Sequence, residues 1–101
     1  MPDYENTQVR PDARLTILKA LAAQTDERLH SGFIAEELLR FGIDRPREWI
    51  HGELDWLEQM GAVTLLKPGT VVVATLTDKG HRHLRRAIEI EGIKRPSRPG
   101  E

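Results

Sequence analysis

An α+β fold is predicted by the way hydrophobic periodicity changes along the chain. Two short amphipathic helical stretches are separated only by Phe41-Gly42-Ile43-Asp44. An apolar hairpin follows from Ala62 to Leu76 around Lys67-Pro68-Gly69-Thr70, and Thr77 then caps another helical stretch. With a further helix in front, this order is that of a winged helix-turn-helix: a three-helix core, a β-hairpin wing and a C-terminal helix.

The first helix starts at Pro11 and Asp12, and Leu15, Leu18, Leu21 and Ala22 repeat at helical spacing to about Gln24. Thr25-Asp26-Glu27 reads as a loop and Arg28-Leu29-His30 as a short third strand beside the wing. Ser31 is suited to cap the second helix, which turns Ile34, Ala35, Leu38 and Leu39 inward and ends at Gly42. Asp44 is the candidate cap of the third helix, and Pro46 fits its first turn. There Ile50, Leu54 and Leu57 form one stripe and Trp49, Trp56 and Met60 a second, with Glu48, His51, Asp55 and Gln59 opposite. Gly61 ends this helix. Ala62–Leu66 and Val71–Ala74 supply the wing strands. The last helix carries Leu84, Ala87 and Ile88 on one side and Lys79, Arg82, Arg85 and Arg86 on the other, and Gly92 stops it. The expected domain is residues 10–91, with a flexible segment at 1–9 and a disordered basic tail at 92–101.

Composition bounds the chemistry. A chain of 101 residues makes one small domain, with 39% hydrophobic and 31% charged residues. Cysteine is absent, which excludes disulfides, thiolate zinc sites and a cysteine nucleophile. No apolar run approaches the roughly 18 residues of a membrane helix, and MPDYENTQ lacks the form of a signal peptide, so a cytoplasmic location with no membrane contact is expected. The net charge of −1 is unevenly spread: residues 1–30, 31–60, 61–76 and 77–101 carry −1, −4, +1 and +3. The helix-turn-helix is thus the acidic part, against the basic emphasis expected of a DNA reader.

Position on the third helix nevertheless assigns base reading to Arg45, Arg47, Glu48 and His51, because an α-helix fits the major groove and its first turns reach base edges. Gly52, which costs about 1 kcal/mol inside a helix, allows close approach of a phosphate or of another chain. At the wing, Lys67 and Thr70 are the candidate backbone contacts. The wing strands are apolar on both faces, so a cover is expected, either a second protomer or the N-terminal segment. Trp49 and Trp56, with Ile88 and Ile90 of the last helix, are candidate dimer-interface residues; a core role for the tryptophans is the alternative. The basic run HRHLRR and the KRPSR tail read as a solvated face or as a docking segment for an acidic neighbour.

Catalytic constellations are missing from the sequence. His81 and His83 are two apart and cannot share one helix face to hold a metal, and no glycine loop suits a phosphate. No enzyme activity, metal or cofactor is expected.

The junction Leu76-Thr77-x-x-Gly80 that leaves the wing resembles that of MarR-, PadR- and ArsR-like regulators. The segments RLTILKALA, GELDWLEQMGAVTL, VATLTDKG and GIKRPSRP together resemble a family of small winged-helix proteins of Mu-like phages and prophages. This resemblance implies a phage origin and a winged-helix fold, and with them a protein acting in the host cytoplasm. The fold together with Arg45 and Arg47 at the reading position leads to the expected function, transcription regulation through double-stranded DNA, and the excess of apolar surface leads to an expected homodimer. The rival is a non-enzymatic protein–protein module on the same fold, favoured by the −4 balance of residues 31–60 and the apolar wing.

Overall fold

The computed structural model describes residues 8–98. The predicted flexible lead-in falls outside the described residues up to residue 7, and Val9 is already helical at φ −66° and ψ −42°. The elements are α1 (Arg10–Ala22), β1 (Arg28–His30), α2 (Ser31–Arg40), α3 (Arg47–Gln59), β2 (Val63–Leu66), β3 (Val73–Leu76) and α4 (Asp78–Leu84). The expected α+β winged-helix order is therefore present, including the short strand at 28–30.

The sheet runs β1-β3-β2, all antiparallel, with Leu29 opposite Ala74 and Leu65 opposite Ala74 on its other side. Its inner face sets Val63, Val72, Ala74 and Leu76 against Ile17, Leu18 and Leu21 of α1, Ile34 and Leu38 of α2, and Ile50, Leu54 and Leu57 of α3. The apolar wing is sorted by strand alternation: Val63 is buried and Leu65 half-buried, while Leu66 stays 60% exposed.

Two predicted caps are taken by other residues. α2 is capped by His30, whose Nδ1 accepts from the amides of Gly32 (3.0 Å) and Phe33 (3.4 Å), because the Ser31 hydroxyl turns inward to His51. α3 begins after Pro46 with no side-chain cap, in place of Asp44. Thr77 caps α4 as expected: its Oγ1 accepts from Gly80 N (3.1 Å) and donates to Gly61 O (2.6 Å).

The C-terminal region departs furthest from expectation. α4 ends at Leu84, short of the predicted Gly92, in a left-handed turn with Arg86 at φ 64°. Ala87 N donates to Arg82 O and Arg86 N to His83 O, which closes the helix in a Schellman motif. The segment from 92 onward, predicted as a disordered tail, packs instead as far as Pro96. Ile93 is 4% exposed, Lys94 N donates to Pro11 O, Lys94 pairs with Asp12 at 3.3 Å, and Arg86 Nη1 donates to Pro96 O. The cause is the fully buried His83. Its Nδ1 accepts from Ile90 N (3.0 Å) and its Nε2–H donates to Lys94 O (3.0 Å), two bonds that only a non-helical return can supply. Residues 99–101 of that predicted tail lie outside the described residues.

Candidate nucleic-acid interface

A cleft of about 370 Å³ opens where the start of α2, the start of α3 and the tip of the wing converge. The end of β1 contributes His30 and α2 contributes Ser31, Gly32 and Ala35; the approach to α3 and its first turns contribute Arg45, Arg47, Ile50 and His51; the wing contributes Thr70 and Val71. His51 Nε2 lies 3.1 Å from Ser31 Oγ, which ties α3 to α2 across the floor. Arg47 is the first residue of α3 and is exposed. Arg45 is half-buried, with its guanidinium 5.6 Å from the Trp49 ring centre and Nη1 donating to Asp44 O. No carboxylate lines this cleft among the described residues.

Part of the acidity of residues 31–60 is held away from the cleft. Glu53 is 2% exposed and bridges Arg10 and Arg14, with Arg14 Nε at 2.6 Å. Asp55 pairs with Lys67 at 3.1 Å, Glu37 pairs with Arg40 at 2.9 Å, and Glu58 accepts from the Leu65 amide at 3.2 Å. Summed charge along the sequence thus misrepresents the surface: the cleft itself is cationic.

Of the predicted reading and wing residues, Arg45, Arg47, His51 and Thr70 come together in the cleft. Glu48 does not. It borders a separate groove with Gly52, Trp49 and Trp56, and nothing lies within 4 Å of where a Gly52 side chain would start. Lys67 is held by Asp55, so it braces the wing against α3. Sequence reasoning missed His30, Ser31 and Gly32; their signal was the junction of a strand with a helix start.

The residues expected at a dimer interface are scattered. Ile90 is 3% exposed and belongs to the core, which corrects its placement at an interface: its amide is fixed to His83, so its side chain turns inward. Ile88, Trp49 and Trp56 are half-buried against that core. Arginines cover both tryptophans: Arg14 lies 3.7 Å from the Trp56 ring centre, and Arg10 lies 5.2 Å from that of Trp49. Glu53 was the missed member of this group. Its place in the row 49, 53, 56, 60, a carboxylate within an apolar helical stripe, was the available signal for a buried ion pair.

His81 and His83 are separated as expected. His81 pairs with Glu27, and His83 is enclosed. Among the described residues no cluster of His, Asp or Glu is arranged to hold a metal, and no helix is long and apolar enough to cross a membrane.

Comparison with known proteins agrees with this architecture. The chain is 30% identical over 91 residues to the uncharacterized protein gp26 of Escherichia phage Mu, spanning 90% of this chain and 94% of that protein. Its fold matches the crystal structure of Sco5413, a MarR family transcriptional regulator from Streptomyces coelicolor, with a TM-score of 0.58 and 26% identity. That match covers 69% of this chain but 46% of the regulator, so the chain spans less than half the regulator's length. No protein-family model matches the chain.

Proposed function

The chain belongs to the family of the phage Mu protein gp26, and we propose that it is a non-enzymatic regulator of transcription that binds double-stranded DNA as a homodimer. The observation that carries this reading is the cleft at the start of α3 in which Arg45, Arg47, His51 and Thr70 meet and which no carboxylate lines among the described residues. On this reading α3 enters the major groove. Arg47, exposed on its first turn, reads a guanine edge with its two-pronged guanidinium. Arg45, already stacked near Trp49, and His51, fixed by Ser31, contact the adjoining backbone or bases, while Thr70 holds the wing against the phosphates. Glu48 at the edge of the face accepts from a cytosine amino group, and Lys67 acts through its brace to Asp55. The likeness to a MarR family regulator supports the same mode of use of the fold. Action inside the host cytoplasm follows from a DNA partner.

Selection of bound duplexes from a random pool tests the proposal. Recovery of a defined sequence with two-fold symmetry is the expected result. A protein that retains no duplex even at low salt, where phosphate contacts are strongest, overturns it. That outcome would favour the protein–protein module, to which the exposed Leu66 and Val71 of the wing lend support.

A further inference from the structure

His30 caps α2 with a ring nitrogen in place of the usual hydroxyl or carboxylate. Its Nδ1 accepts from the amides of Gly32 at 3.0 Å and Phe33 at 3.4 Å, and its ring lies 4.3 Å from that of Phe33. A nitrogen that accepts from two N–H groups carries no proton, so the imidazole is the neutral tautomer with its hydrogen on Nε2. The two ring nitrogens point away from each other, and Nε2–H therefore faces outward from α2. It makes no hydrogen bond among the described residues, and the exposed ring lines the cleft. The backbone of His30 is fixed as well, opposite Val73 at the end of β1. Gly32 makes room for the ring: a methyl group there would lie 2.9 Å from His30 Cε1 and 3.1 Å from Nδ1.

We propose that His30 is a phosphate donor to DNA: its Nε2–H hydrogen-bonds a backbone phosphate at the edge of the groove that α3 enters. This rests on the DNA reading proposed above and adds a contact to the same cleft. A helix start ordinarily holds an anion with its own free amides. Here the amides of Gly32 and Phe33 are occupied by the imidazole, so the helix acts on the phosphate through the ring. Accepting two bonds at Nδ1 polarises the ring and strengthens Nε2–H as a donor. The other walls of the cleft carry Arg45 and Arg47 before and on α3 and Thr70 on the wing. With Arg47 on the bases, the wall formed by the start of α2 meets the sugar-phosphate backbone. Because the ring is neutral, the contact positions the duplex without releasing a counter-ion and reads no base.

The test is a binding titration of the full chain with a duplex selected by the wild type, a scrambled duplex, and copies of the selected one carrying a neutral methylphosphonate at each phosphate in turn. His30→Ser keeps a capping side chain but has no outward donor. It is expected to bind selected and scrambled duplexes about tenfold more weakly, with base preference and salt dependence unchanged. At one methylphosphonate position the wild type should lose affinity and His30→Ser should lose none further. Gly32→Ala, which displaces the ring without removing it, should lose its affinity at that same position. A His30→Ser chain that binds as the wild type does, or that responds to every methylphosphonate as the wild type does, overturns the proposal. A second measurement needs neither variant nor DNA. Nitrogen NMR of the free wild-type chain in mildly alkaline buffer should show the His30 hydrogen on Nε2, and a hydrogen on Nδ1 overturns the proposal. A wild type that binds no duplex defeats the functional reading and this contact together, whereas a wild type that binds beside an equally tight His30→Ser defeats this contact alone.

Discussion

A methyl group added to Gly80 would sit 2.5 Å from the Ala62 carbonyl oxygen and 2.6 Å from a Leu76 methyl. The carbonyl is backbone and the Leu76 side chain is held in the core, so the wing and α4 must separate to admit it. Gly80→Ala is expected to destabilise by roughly 1–3 kcal/mol, read as a lower denaturation midpoint at constant m-value. An unchanged midpoint would mean that the junction is not as tight as its geometry. Glu53 poses the opposite problem, a charge that the fold has buried. Two guanidiniums face it, one of them stacked on Trp56, and Glu53→Ala leaves both without their counter-ion. The expected loss is about 3 kcal/mol, moderated because Arg10 is 36% exposed. A loss below about 1 kcal/mol would show the bridge to be no stronger than a surface pair.

At the scale of elements, the sequence displays helices and strands well and their ends less well. The three-helix order, the hairpin and the short β1 were legible because each announces itself by local periodicity. The cap of α2 was not, since the choice between His30 and Ser31 depends on His51, twenty residues away. The length of α4 was not legible either. Leu84, Ala87 and Ile88 suit a continuing helix, but the two bonds of the buried His83 require the chain to turn back and lay Ile90 and Ile93 on the core. His83→Phe fills the space but leaves the Ile90 amide unsatisfied, at a cost of about 1–3 kcal/mol. The effect should be local: faster tryptic cleavage after Lys94 and faster amide exchange at Ile90, with the helical core still protected. Cleavage at the wild-type rate would show that the return segment is held by its apolar contacts alone.

Over the whole molecule, four of the six residues singled out for DNA contact converge, and their convergence follows from the position of α3 in the fold. What sequence could not show is the state of the acids around them. A balance of −4 over residues 31–60 argued against DNA. Glu53 is neutralised by Arg10 and Arg14 from α1, and Asp55 by Lys67 from the wing; such pairings are made only when distant elements meet. Ile90 was misplaced for the same reason: its amide is fixed to the distant His83, which turns its side chain into the core.

The most direct test of DNA reading through the cleft is a fluorescence anisotropy titration of a selected duplex and a scrambled one, with wild type and Arg47→Ala at one fixed low salt concentration. The expected wild type prefers the selected duplex. Arg47→Ala should lose about 1–3 kcal/mol of affinity for it, roughly 5- to 150-fold, and relax the preference at one base pair while binding the scrambled duplex nearly as before. A wild type that binds neither duplex, or an Arg47→Ala variant indistinguishable from it on both, would contradict the account.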